Sequence, residues 1–129
     1  MNPVQPLPPL PFAGVEWSRF RLRPGVTEAQ LMSAAQKVVD GLLRHQPGFQ
    51  GHAVLRDGEG GYIDLLLADS EARAQALCGM WVSHPACADY LALLEPDSVQ
   101  LGFHSSLCSA SALPLRAELI LGGAGEVLA

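Results

Sequence analysis

Residues 45–70 read HQPGFQGHAVLRDGEGGYIDLLLADS. Two apolar runs, Phe49 to Arg56 and Tyr62 to Ala68, flank a turn, Asp57 to Gly61, that carries Gly58, Gly60 and Gly61. Short runs bounded by Gly, Pro and Asp predict a β-hairpin. Gln46-Pro47-Gly48 stops whatever precedes the hairpin, and Ser70 with Glu71 opens a helix after it as an N-cap and a dipole-friendly first turn. A hairpin between two helices is the middle of a larger plan.

Upstream of the hairpin, VEWSRFRLR (15–23) alternates in character and ends at Pro24-Gly25, so it predicts a strand and a turn. Thr27 and Gln30 form a capping box for a helix whose apolar stripe is Leu31, Ala35, Val38 and Leu42. The helix opened by Ser70 runs through Trp81 and breaks at His84-Pro85, because a residue before proline disfavours the α region. Pro85 suits the first position of a second helical piece, PACADYLALL. Glu95-Pro96-Asp97 ends it, and residues 99–107 form the last strand. The order is β-α-β-β-α-β, the split βαβ or ferredoxin-like α+β plan, with both helical segments on one face of a four-stranded antiparallel sheet. Residues 1–14 hold five prolines and predict an extended arm. The domain proper is 15–107, and 108–129 is a tail in which RAELIL could add an edge strand.

Composition narrows the function classes. With 129 residues, 49% apolar, the chain is long enough for one full core. The net charge of −5 and the isolated Arg19, Arg21 and Arg23 cluster argue against a nucleic-acid footprint. No apolar run nears the ~20 residues that span a membrane. The N-terminus lacks the pattern of a signal peptide, and three scattered cysteines fit reduced thiols, so the expected location is the cytoplasm. Neither paired cysteines nor a phosphate loop occurs, and no metal site or cofactor is expected.

Strand alternation assigns faces. Phe20 and Leu22, Phe49, Ala53 and Leu55, Ile63, Leu65 and Leu67, and Val99, Leu101 and Phe103 are expected beneath the helices. The opposite face then holds Trp17, Arg19, Arg21, His52, Val54, Arg56, Tyr62, Asp64, Leu66, Gln100, Gly102 and His104. A second copy of the sheet would cover that face and enclose a cavity. Within it, His52, Asp64 and His104 are the candidate catalytic groups. A neutral His takes a phenolic proton, Asp64 orients it, and Arg19 or Arg21 stabilises the anion. Trp17, Arg19, Arg21 and Tyr62 are candidate ligand contacts, with Trp81 and His84 at the helix break as a pocket rim. The competing reading is a polar dimer interface whose charges pair.

The stretches RFRLRPGVTEAQLMSAAQKVV, HQPGFQGHAVLRDGEGGYIDLLLADSEA and HPACADYLALLEPDSVQL resemble the dimeric α+β barrel superfamily, and within it the antibiotic-biosynthesis-monooxygenase-like domains. The resemblance covers about residues 15–107 and implies a homodimer with sheets face to face. It also implies a cofactor-independent monooxygenase or isomerase of a small aromatic or polyketide-like compound. A non-catalytic dimer that binds a small hydrophobic ligand, or that merely assembles, is the alternative. Haem-degrading members use an Asn on the first strand with a Trp and a His. VEWSRFRLR has no Asn, which ranks haem breakdown low.

Overall fold

The computed structural model describes residues 12–110, and those up to Ser106 form one compact unit. The expected proline arm up to residue 11, and the tail from residue 111 with its RAELIL strand, lie outside the described residues.

Strand β1 (Gly14–Phe20) leads to helix α1 (Glu28–Gly41), then the hairpin β2 (Phe49–Arg56) and β3 (Tyr62–Ala68). Helices α2 (Glu71–Gly79) and α3 (Pro85–Leu91) follow, separated by a 3-10 turn at Met80–Val82, and β4 (Gln100–Ser105) closes the unit. The sheet order is β2-β3-β1-β4, all antiparallel, which is the ferredoxin-like arrangement expected. The hairpin ends match the sequence expectation.

The caps also follow the expected chemistry. Thr27 and Gln30 satisfy each other's backbone reciprocally, and the Ser70 hydroxyl accepts from the Arg73 amide. His84 caps α3: its Nδ1 accepts from the Ala86 amide at 3.1 Å. Leu31, Val38, Leu43, Phe20, Leu66 and Tyr90 form the heart of the core at 2% exposure or less. Each large apolar side chain fully withdrawn from water contributes about 1.5–3 kcal/mol.

Two strand ends fall short of expectation. β1 stops at Phe20, because the chain beyond it pairs with the segment after α3: Arg23 N–H donates to Leu93 O and Glu95 N–H to Arg21 O, both at 2.9 Å. β4 ends at Ser105 rather than residue 107.

The larger correction concerns the faces of the hairpin. Asp64, Leu66 and Ala68 are the buried positions of β3, so they face the helices, while Ile63, Leu65 and Leu67 face away. Register carries the same inversion to β2, where His52 lies opposite Leu66 and Val54 opposite Asp64. Ala53 and Leu55 therefore lie on the far face, and His52, Val54 and Arg56 on the helix face. A shift in the ladder between Phe49 and Gly51 leaves Phe49 opposite Ala68, on the helix side as expected. On β1 and β4 the expected faces hold, with Phe20, Leu101 and Phe103 toward the helices and Trp17, Arg19, Gly102 and His104 away. The physical reason is that β3 is apolar on both faces. Its one carboxylate was expected to mark the face away from the helices, but Asp64 is buried and paired.

Candidate functional site

A cavity of about 190 Å³ lies between the sheet and the helical layer. Its floor is β1 and β3, with Glu16, Ser18 and Phe20 from the first and Asp64 from the second. Its walls are Cys78, Trp81, Tyr90, Leu94 and Val99. Val82, 88% exposed, and Leu101, 50% exposed, stand at its edge and make an apolar mouth.

Alternation along β1 places Glu16 here. It shares a face with Phe20, which must be buried, so its carboxyl is carried inside with only 6% exposure. Burial pushes its pKa up to about 7, the negative charge of Asp64 adds to the rise, and His52 and a hydrogen bond from Cys78 oppose it. At neutral pH Glu16 is thus poised to give or take a proton. The Cys78 thiol is itself pushed up to about 11 by burial and by Glu16.

Asp64 is the hub of the buried polar network. The Tyr90 hydroxyl donates to its Oδ2 at 2.5 Å, and the Nε2–H of His52 donates to the same oxygen at 2.9 Å. Both His52 and Asp64 side chains are 5% exposed. Burial, then the Asp64 charge, drives the Tyr90 phenol well above its ordinary value, so it serves as a donor and not as a base. His52 also borders an outer groove between α1 and β2, lined by Met32, Gln36 and Val39. Trp81 packs edge-on against Tyr90, with ring centroids 5.1 Å apart. Its Nε1–H is buried without a protein partner, the one such side-chain atom among the described residues. A buried donor left open costs free energy unless something occupies it.

The residues singled out from sequence divide between places. Asp64 and Trp81 line this cavity, and His52 stands behind Asp64, bonded to it. His104 and Trp17 lie on the far face, where the Trp17 indole donates to Nε2 of His104 at 2.8 Å and the rings stack. Arg19 pairs with Asp57 at 3.2 Å on that side, and Arg21 is exposed at the strand end. Tyr62 faces the helical layer but belongs to another cluster. Its hydroxyl donates to Glu28 at 2.9 Å, beside a bidentate Arg56–Glu28 pair. The Arg56 hydrogen bonds, then Tyr62, hold the Glu28 carboxyl down at about 2. This is a clamp from the start of α1 to the hairpin. His84 is occupied as a helix cap.

Glu16, Ser18, Cys78 and Tyr90 are cavity residues not singled out from sequence. A signal for Glu16 was present: once Phe20 is placed inside, parity on β1 takes Glu16 and Ser18 with it. Cys78 and Tyr90 sit on helices, where the side facing the sheet depends on packing. Among the described residues no group of three or more His, Cys, Asp and Glu is arranged to hold a metal ion, and no helix is long and apolar enough to cross a membrane.

No protein-family model matches the chain, and no curated protein matches it by sequence. Solved structures do match. SnoaB, a cofactor-independent oxygenase from Streptomyces nogalater, superposes with a TM-score of 0.58 at 17% identity, over 79% of this chain and 97% of that one. A candidate antibiotic biosynthesis monooxygenase from Caulobacter crescentus gives 0.59 at 14% identity, over 77% and 93%. A protein of unknown function from Nitrosomonas europaea gives 0.56 at 19% identity, over 82% and 98%. The chain has the ferredoxin-like α+β fold of these proteins, as the sequence resemblance implied.

Proposed function

We propose that the protein is a cofactor-independent oxygenase of a small neutral phenol or hydroquinone, bound between sheet and helices. The observation that carries this reading is Glu16, a buried carboxyl with a pKa near 7 on the floor of an apolar cavity. A base matched to the operating pH is what deprotonation of a phenol needs. Size agrees with the class. An apolar cavity of about 150 Å³ accepts benzene, and drug-sized sites begin near 300 Å³. At about 190 Å³ this one suits a substituted ring or a small fused bicycle, not a tetrapyrrole.

The chemistry follows from those residues. Glu16 takes the hydroxyl proton, and the phenolate is electron-rich enough to reduce dioxygen directly. A new C–O bond forms at the ring carbon, and the O–O bond breaks. One oxygen atom ends in the new carbonyl, and the other leaves as water with the hydrogens of the hydroxyl and the ring C–H. The open Trp81 N–H would donate to a substrate oxygen. The Asp64–His52 pair would link the cavity to the outer groove for proton exchange. SnoaB shares the fold and is an oxygenase without a cofactor, which supports the reading.

We place the working form as a cytoplasmic homodimer through the open sheet face. Val15, Trp17, Ile63, Leu65 and Leu67 make an apolar strip there, and such a strip is ordinarily covered. The alternative, a ligand binder without turnover, draws on the apolar walls and mouth. An oxygen electrode separates the two. Stoichiometric uptake on adding a naphthol or hydroquinone supports the oxygenase. Binding of the same compounds with no uptake supports the binder.

A further inference from the structure

Resting on the assignment of this cavity as the ligand site, we propose that Glu16 and Asp64 make it a charge filter, admitting neutral phenols and refusing aromatic compounds that bear a carboxylate, sulfonate or phosphate. The two acids lie on adjacent strands of the floor, at 6% and 3% exposure. In the antiparallel register Glu16 sits opposite Leu66 and Asp64 opposite Ser18, so they are diagonal neighbours on one face. No Lys or Arg lines the cavity. Arg19 is engaged with Asp57, Arg56 with Glu28, Arg73 with Asp69, and Arg23 with the carbonyl of Ala92, while Arg21 is exposed and borders a separate groove by the hairpin turn.

Glu16 is faced by groups from both the sheet and the helical layer. β3 presents Asp64, β2 presents His52 bonded to Asp64, α2 presents the Cys78 thiol and α3 the Tyr90 phenol. β4 presents Leu101 and Phe103, with no charge. His52 is the one group there able to carry a positive charge, and Asp64 already holds it. An anionic substituent would therefore lose its water, gain no counter-charge and meet two carboxyl groups. A neutral hydroxyl meets the same groups as hydrogen-bond partners.

The test compares naphthol with hydroxynaphthoate by calorimetric titration of the full chain, at about pH 6 and about pH 8. The expected result is naphthol binding at least about tenfold tighter at the higher pH, since like charges a few ångströms apart in a protein repel strongly. That gap should narrow at the lower pH, where Glu16 takes up a proton. Glu16→Gln should narrow it at the higher pH by roughly tenfold. The pH comparison needs no variant, so it stands even if Glu16→Gln folds poorly. Equal affinities at the higher pH, or a gap that neither pH nor the variant moves, overturns the filter. Failure of both compounds to bind overturns the cavity assignment itself, and the filter with it.

Discussion

Tyr90 and Asp64 are joined across the layer between α3 and β3: the phenol donates to Oδ2 at 2.5 Å, and both residues are buried. The bond ties the second helical segment to the centre of the sheet and keeps a carboxylate on the cavity floor. Tyr90→Phe keeps the ring packing but removes a donor from a buried acceptor. Because His52 still serves the same oxygen, the expected cost is about 1–3 kcal/mol in chemical denaturation. In a double-mutant cycle Tyr90→Phe and Asp64→Asn should couple by more than about 0.5 kcal/mol. Additive effects would mean that the contact contributes nothing to stability.

Glu16 makes the pH dependence specific. Its folded pKa, about 7, lies above its ordinary value of 4.5, so the folded state holds a proton that the unfolded state has released. Stability is therefore lost as pH rises from about 4.5 to about 7, and the loss then levels off. Glu16→Gln removes this term. Its stability relative to the native chain should be near zero in acid and grow with pH, to on the order of 3 kcal/mol above neutrality. Urea midpoints across pH check it; a difference curve flat in pH would mean that Glu16 ionises freely.

The β-hairpin, both N-caps and the break at His84-Pro85 were legible because each rests on local chemistry: a turn, a cap, a missing N–H. The face of β3 was not. Tyr62, Asp64, Leu66 and Ala68 on one side and Ile63, Leu65 and Leu67 on the other are both plausible interiors, and the usual rule exposes the charge. Tyr90 and His52 overturn that rule by satisfying Asp64 from two directions. Neither partner is near it in sequence, being 26 and 12 residues away. The same inversion moved the candidate site from between two subunits to within one. It also put an apolar strip on the open face, beside Arg19 and His104.

That strip carries the dimer prediction. Leu65 lies mid-strand on the open face, opposite Trp17. Leu65→Glu should leave the fold intact by circular dichroism and give a monomer by light scattering at micromolar concentration, where the native chain should give a dimer. A native chain that is already monomeric contradicts sheet-to-sheet pairing.

Gly14 lies where the backbone of the sheet comes close to the start of α2. A Cβ there would lie 2.1 Å from the carbonyl carbon and oxygen of Ser70, which are backbone and cannot turn aside. Gly14→Ala must push the start of α2 off the sheet, at a cost of about 2–3 kcal/mol or more. A melting temperature within a degree or two of the native chain would show that α2 can shift freely.

If Glu16 is the base for oxidation of a phenol in the sheet–helix cavity, its titration governs the rate. Oxygen uptake with a naphthol, followed against pH for the native chain and Glu16→Gln, tests it most directly. The native rate should rise through about pH 7, as the Glu16 carboxyl gives up its proton, and then level off. In Glu16→Gln it should fall by roughly a hundredfold or more, the usual scale of a general base, while naphthol binding persists. A variant that consumes oxygen at the native rate, with the same pH profile, would show that Glu16 is not the base.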